Sequence, residues 1–168
     1  SDFQFAVTPY YTRLADPADP HCPILKQILP DAVEEVDPLF HEPDPLAEER
    51  YMPVPGLTHR YPDRVLWYVT HNCAVYCRFC MRKRKVSDPQ SPPDAAAFEG
   101  ALAYIRRETS IKEVILSGGD PLSLSDDRLR AILTTLRGIP HLASIRIHTR
   151  MPVTLPMRIT QDFAQLLK

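Results

Sequence analysis

This chain lacks almost every bulk feature that would give a function away. It has no excess of charge: 20 Lys and Arg stand against 21 Asp and Glu, a net charge of −1. No global field therefore draws it onto nucleic acid or a lipid surface. No apolar run approaches the ~18 residues that suggest a transmembrane span. The first residues, SDFQFAVTPYY, have neither the basic start nor the long apolar stretch of a secretory signal. There is no internal repeat, and no second pair of cysteines follows the group at residues 73–80. These absences leave the cytoplasm as the expected compartment, where clustered cysteines are more often metal ligands than disulfides.

What is present suits a globular protein. The 168 residues are 44% apolar and 24% charged, enough for one domain with a core. The chain begins with Ser and ends in ITQDFAQLLK. There Thr160 is placed as an N-cap, and the stripe of Phe163, Leu166 and Leu167 has barely begun. We expect a piece of a longer protein, cut inside a helix.

Proline punctuates residues 1–62, which we expect to form an arm over a larger body. One short helix is expected from Pro23 to Leu29, opened by one proline and closed by Pro30. The stretch DPLFHEPDPLAEERYMPVPG is expected to be extended loop. From residue 63 onward the pattern changes. RVLWYVT, EVILSGG and ASIRIHTR are candidate buried strands. SPPDAAAFEGALAYIRRE and SDDRLRAILTTLRGIP carry helical spacing between them. In the second, Ser125 is the cap, Asp126 and Asp127 suit the dipole, and Gly138 and Pro140 close it. The order β-α-β-α-β-α implies parallel strands joined by right-handed crossovers, an α/β fold with about three βα units.

On that frame the unusual residues gather at one edge. The cysteine loop, SGGDPL and HTR each follow a strand, and sites in α/β folds collect at the C-terminal ends of strands. The cysteines, Cys73, Cys77 and Cys80, are spaced C-x3-C-x2-C. Structural zinc usually takes two close pairs of ligands, and here only Cys22, far upstream, or His71 could complete a set. A catalytic thiol needs one cysteine and a base. An iron–sulfur cluster fits better, with three thiolates on three irons and one open position, but zinc stays open. In SGGDPL, Gly118 and Gly119 suit a tight turn or a close backbone approach to a ligand. Arg78, Arg82, Lys83, Arg84 and Lys85 form a basic run. It suits a solvated loop, an anionic small molecule or nucleic acid, the last disfavoured by the neutral net charge.

C-x3-C-x2-C with an aromatic, Phe79, before the last cysteine resembles the signature of the radical S-adenosylmethionine superfamily. That resemblance implies a 4Fe–4S cluster on Cys73, Cys77 and Cys80 whose fourth iron takes the cosubstrate S-adenosylmethionine. It also implies that Gly118, Gly119 and Asp120 receive the methionine amino group, and that Thr149 and Arg150 meet its carboxylate.

AVTPYY, DPHCPILKQILP, PVPGLTHRYPDRVL, YCRFCMRKRK, LSGGDPL and IPHLASIRIHTRMPVTLPMRIT together resemble lysine 2,3-aminomutase and its relatives, over nearly the whole chain. The resemblance implies an incomplete six-stranded barrel, truncated here at its C-terminal end, and pyridoxal 5′-phosphate as a second cofactor. It implies that Arg60, Tyr61 and Arg64 hold the phosphate and that Arg82 binds the substrate carboxylate. The lysine that carries the pyridoxal as a Schiff base is expected beyond Lys168, so no catalytic residue of that kind lies within the chain, which is expected to be inactive and unstable alone. The expected partners are an amino-acid substrate, a flavodoxin or ferredoxin as electron donor, and further copies in a homo-oligomer, with no nucleic acid and no membrane. Phe79 and His148 depart from the lysine enzymes, which carry His and Gly there. Relatives that act on a lysine of translation elongation factor P share the RIH feature, and glutamate and arginine stay open as alternative substrates because the acidic residues that would bind a lysine side chain are expected beyond Lys168. A zinc-stabilised nucleic-acid module built on Cys73–Lys85 is the alternative of another class, and a radical enzyme without pyridoxal is a further one.

Overall fold

The computed structural model describes residues 5–35, 42, 44–83, 85, 86 and 94–168. Four strands form one sheet in the order β1-β2-β3-β4: Leu57–Tyr61, Arg64–Thr70, Glu113–Gly118 and Ser144–Ile147. The strands β2, β3 and β4 run parallel, with Val65 opposite Val114 and Val114 opposite Ile145. The three expected βα units are there. A mixed sheet with open edges and helices on one face suits a partial barrel.

The added strand is β1, which pairs antiparallel with β2. The prolines before it make LTHRY look like loop, and its pairing comes from a hairpin closed at Tyr61 and Arg64. The Asp63 carbonyl in that turn accepts the N–H groups of Lys112 and Glu113, at 2.7 and 3.1 Å, and so aligns the start of β3. A division of the chain between residues 62 and 63 falls inside this hairpin.

Period-two alternation sorts the faces of β2. Val65, Trp67 and Val69 enter the main core with Val114 and Leu116 of β3. Three helices cover that face: α2, α3 and α5, at Ala95–Arg107, Asp126–Arg137 and Gln161–Leu166. They contribute Ala101, Leu102 and Ile105, then Leu129, Ile132, Leu133 and Leu136, then Phe163 and Leu166. Each of the large aliphatic side chains buried here contributes roughly 1.5–3 kcal/mol over an exposed one. Tyr68, Thr70, Ile115 and Ser117 alternate with these core residues on the same strands, and they too are buried.

Side-chain caps close three helix starts, at Ser125 and Thr160 as expected and at Asp94, which was not. Asp94, Ser125 and Thr160 accept the N–H groups of Ala97, Arg128 and Phe163 at 2.6, 3.3 and 3.1 Å. The expected start of α2 at residues 91–93 lies outside the described residues. Leu167 is 39% exposed and leaves the expected stripe of α5. Among its described residues the arm carries one short α-helix, α1, at Pro9–Thr12. In place of a helix from Pro23 to Leu29 there is a 3-10 turn at Leu25–Gln27, and Pro30, which has no N–H to donate, stops it from continuing. One further turn, α4 at Met151–Thr154, follows β4 directly.

Candidate active site

The ends of β2 and β3 are clamped backbone to backbone. The Gly119 N–H donates to the Thr70 carbonyl at 2.7 Å, and the Asp120 N–H to the Asn72 carbonyl at 2.8 Å. Gly118 has φ +105°, which side chains rarely adopt, and a Cβ there would lie 2.4 Å from the Thr70 oxygen. A Cβ on Gly119 would lie 2.3 Å from the Asn72 oxygen. The two glycines thus permit a close approach of the chain to itself, at the entry to the cysteine loop.

Asp120 is buried, and its carboxylate is already employed. Oδ1 accepts from the Leu122 N–H at 3.0 Å and the Thr149 hydroxyl at 2.7 Å, and Oδ2 from the Arg150 N–H at 2.7 Å. It starts the turn after β3 and ties that turn to the chain leaving β4. The expected role as acceptor for a ligand ammonium falls to a carboxylate with most of its capacity spent inside the protein.

Arg150 bridges this edge to the cysteine loop. Its guanidinium donates to the Cys77 sulfur and to the Tyr11 hydroxyl, each at 2.7 Å, and also to the Gln27 side chain. It lies over the rings of Tyr11 and Phe79, 5.2 and 5.1 Å from their centroids. The arm roofs the same loop. The Tyr76 and Arg78 N–H groups donate to the Ala6 and Gln27 carbonyls, both at 2.9 Å, and Tyr11, Ile28 and Val75 form a second small core.

Cys73, Cys77 and Cys80 are free and partly exposed. Burial pushes the Cys73 thiol up to about 12, helped by Asp120 and the other two thiols, and burial raises Cys80 too. Such thiols stay protonated until a cation arrives, and bound iron holds them as thiolates. Among the described residues, no three His, Cys, Asp or Glu side chains are gathered as a site for one metal ion. A single zinc finds no preformed site. A cluster that gives each thiolate its own iron needs three thiols on one loop with a position left over, and this donor set fits it.

Among the described residues, the cations of the basic run face acids of the arm. Arg78 pairs with Glu34, Lys83 lies 3.9 Å from Glu34, and Lys85 lies 3.5 Å from Glu49. Arg84 lies outside the described residues. Arg82 donates to Glu48 through Nη2 at 2.6 Å and through Nε at 3.1 and 3.2 Å. Tyr68 donates its hydroxyl to Glu48 at 2.5 Å. Burial and the Glu48 carboxylate push Tyr68 up to about 12, so that hydroxyl keeps its proton. Burial works against the charge of Arg82, but Glu48 outweighs it and the guanidinium stays above its usual value. With these cations paired inside the fold, the nucleic-acid reading of the run loses its physical basis.

The hydrogen bond from Arg78 holds Glu34 below the usual carboxylate range. A depressed carboxylate stabilises the fold above its unfolded value, near 4.5, and that stability is lost as pH falls through the lower folded value. Glu34→Gln should therefore lower the melting temperature at pH 7, and the gap to wild type should close below about pH 4.5. A gap that is constant from pH 7 to pH 3 would count against the pair.

Arg60, Tyr61 and Arg64 lie elsewhere. Arg60 donates to the Leu46 carbonyl at 2.9 Å, and Arg64 forms a bidentate pair with Asp63 at 3.0 and 3.1 Å. All three sit at the hairpin where β2 begins, while the cysteine loop follows its end. Six residue steps along a strand span about 20 Å. The residues expected at one cofactor and those expected at the other thus occupy opposite ends of β2. Glu48, Tyr68, Tyr11 and Gln27 were not legible as site residues: a Glu among prolines, a Tyr inside an apolar run and two arm residues gain their positions only through packing.

Comparison with known proteins agrees with this geometry. A profile of the Radical SAM superfamily matches residues 67–168. L-lysine 2,3-aminomutase of Methanococcus maripaludis is 47% identical over 99% of this chain and 39% of its own length. L-lysine 2,3-aminomutase of Clostridium subterminale is 45% identical over 98% of this chain and 40% of its own. Glutamate 2,3-aminomutase of Clostridioides difficile is 40% identical over 100% of this chain and 40% of its own. The chain thus spans about 40% of the length of these curated relatives. With a profile match over more than half its length, and three cysteines on the loop where three parallel strands end, the chain belongs to the radical SAM superfamily.

Proposed function

We propose that the full-length protein is a radical S-adenosylmethionine isomerase that moves the amino group of L-lysine from the α- to the β-carbon, with pyridoxal 5′-phosphate as second cofactor. The observation that carries this reading is the bridge at one sheet edge, where Asp120 holds Thr149 and Arg150 and Arg150 reaches Cys77. The lysine enzymes among its relatives support the substrate. Glutamate is the second reading, supported by the glutamate enzyme that aligns with the whole chain.

In this reading Cys73, Cys77 and Cys80 hold a 4Fe–4S cluster, which with S-adenosylmethionine supplies the 5′-deoxyadenosyl radical. Gly118 and Gly119 let the turn after β3 sit against the entry to the cysteine loop, beside the methionine end of the cosubstrate. Asp120 fixes the backbone of Arg150, whose guanidinium offers a partner for the methionine carboxylate. The arm packs Tyr11 and Ile28 against Val75 of the cysteine loop and so holds that loop against the sheet edge. Arg82 binds the substrate carboxylate, and Arg60, Tyr61 and Arg64 bind the pyridoxal phosphate group. A cytoplasmic enzyme reduced by a flavodoxin or ferredoxin completes the proposal; no described helix is long and apolar enough to cross a membrane.

Electron paramagnetic resonance of the full-length protein tests it, after anoxic reconstitution with iron and sulfide. The expected result is a reduced 4Fe–4S signal that changes when S-adenosylmethionine is added and is absent in Cys77→Ala. Stoichiometric zinc with no cluster, in a folded sample, overturns it.

A further inference from the structure

Glu48 sits where an acid is costly. It is 5% exposed, and burying a carboxylate without a partner costs several kcal/mol. Its partners are the Arg82 guanidinium and the Tyr68 hydroxyl. The chain is shaped to deliver it. Ala47, just before it, has φ +51°, a left-handed conformation that strains a residue with a side chain. Asp44 stabilises the bend by accepting the Ala47 N–H on its carbonyl at 2.8 Å and the Glu49 N–H on its side chain at 3.0 Å. Backbone strain next to a buried charge is the pattern of a placed functional group.

The way Glu48 grips Arg82 matters. A guanidinium offers two edges that can take a carboxylate: the side edge of Nε and Nη2, and the end edge of Nη1 and Nη2. Glu48 takes the side edge, through Nε and Nη2, and does not engage Nη1. Tyr68 accepts from the same Nε at 3.3 Å, and its ring lies 5.6 Å from the guanidinium carbon. The plane and direction of the guanidinium are therefore set from one side and from below. His148, just past β4, is close enough to feel the charge of Arg82, so this group lies by the C-terminal edge of the sheet.

We propose that Glu48 is a positioning residue that holds Arg82 by its side edge and so presents the end edge for bidentate capture of the substrate α-carboxylate. This rests on the reading of Arg82 as the carboxylate-binding residue. A guanidinium free to swing binds a carboxylate as a diffuse charge, whereas a fixed one also selects its geometry. Glu48 therefore governs discrimination between an amino acid and its uncharged amide.

The test uses the reconstituted full-length protein with L-lysine and L-lysinamide as probes, their affinities measured anoxically by calorimetry. In wild type, lysine should bind more tightly than its amide. In Glu48→Gln that preference should fall by roughly tenfold, the lower end of what one hydrogen bond to a charged group is worth. Cluster content and the response to S-adenosylmethionine should stay at wild-type levels, which a merely structural role for Glu48 would not spare. Tyr68→Phe, which removes one hydroxyl and keeps the ring, should lower the preference in the same direction by about threefold, the worth of a single hydrogen bond. Arg82→Lys separates the two ideas. If it leaves the preference intact, the reading of Arg82 is wrong and the role of Glu48 falls with it. If Arg82→Lys abolishes the preference while folded Glu48→Gln and Tyr68→Phe both keep it, the proposal for Glu48 alone is overturned.

Discussion

Gly119→Ala should lower the stability of the protein by about 3–5 kcal/mol, the sum of an overpacked contact and two lost backbone hydrogen bonds. The added Cβ would lie 2.3 Å from the Asn72 oxygen, 2.7 Å from the His71 carbonyl carbon and 2.8 Å from the Asn72 carbonyl carbon. All three are backbone atoms and cannot swing aside as a side chain would. The loops must part, and the bonds from Gly119 to Thr70 and from Asp120 to Asn72 part with them. Cys73 follows Asn72 directly, so iron content after reconstitution should fall as well. Gly100→Ala is the control. A Cβ there meets nothing within 4 Å, on a helix, and replacing a helical glycine is worth about 0.5–1 kcal/mol in the stabilising direction. Denaturant midpoints of the two variants should move in opposite directions. An unchanged midpoint for Gly119→Ala would mean that the ends of β2 and β3 are not clamped as described.

Asp120→Ala should cost about 3 kcal/mol or more, because it leaves three donors without their acceptor in a buried place. Those donors come from two stretches, Leu122 on the turn after β3 and Thr149 and Arg150 after β4. Thr149→Val removes one of the three bonds, together with the one the Met151 N–H donates to the same hydroxyl at 3.0 Å, and should cost roughly 1–2 kcal/mol. The pair share a hydrogen bond, so the double variant should be less damaged than the sum of the two singles. Strict additivity would show that Asp120 and Thr149 act apart. If cosubstrate binding depends on the tie between these turns, the spectroscopic response to S-adenosylmethionine should be lost in Asp120→Ala even where a cluster assembles.

Much of the fold was legible because it is local. The caps at Ser125 and Thr160 need only a side-chain oxygen and a nearby N–H, and both form as expected. The three parallel strands announce themselves by apolar runs between helical spacings. The hairpin of β1 did not, because its partner choice depends on a turn and on a neighbour that the proline-rich context hides. The same division runs through the candidate site. The cysteine spacing and the glycine pair are motifs, and they lie at one edge as the strand order requires. Their contacts are another matter: the glycines accommodate backbone at Thr70–Asn72, and Asp120 is committed to Thr149 and Arg150.

By itself the sequence determined the cysteine loop and the parallel βα units, since each is written in short-range spacing and hydrophobic period, while the superfamily was legible only as a resemblance carried by its motifs. Only the tertiary structure decided which acids quench the basic run, that Glu48 grips Arg82, and that Arg60, Tyr61 and Arg64 stand at the far end of β2. Those facts depend on how distant stretches pack, where burial makes an unpaired charge costly and so selects its partner, and no local pattern encodes that choice.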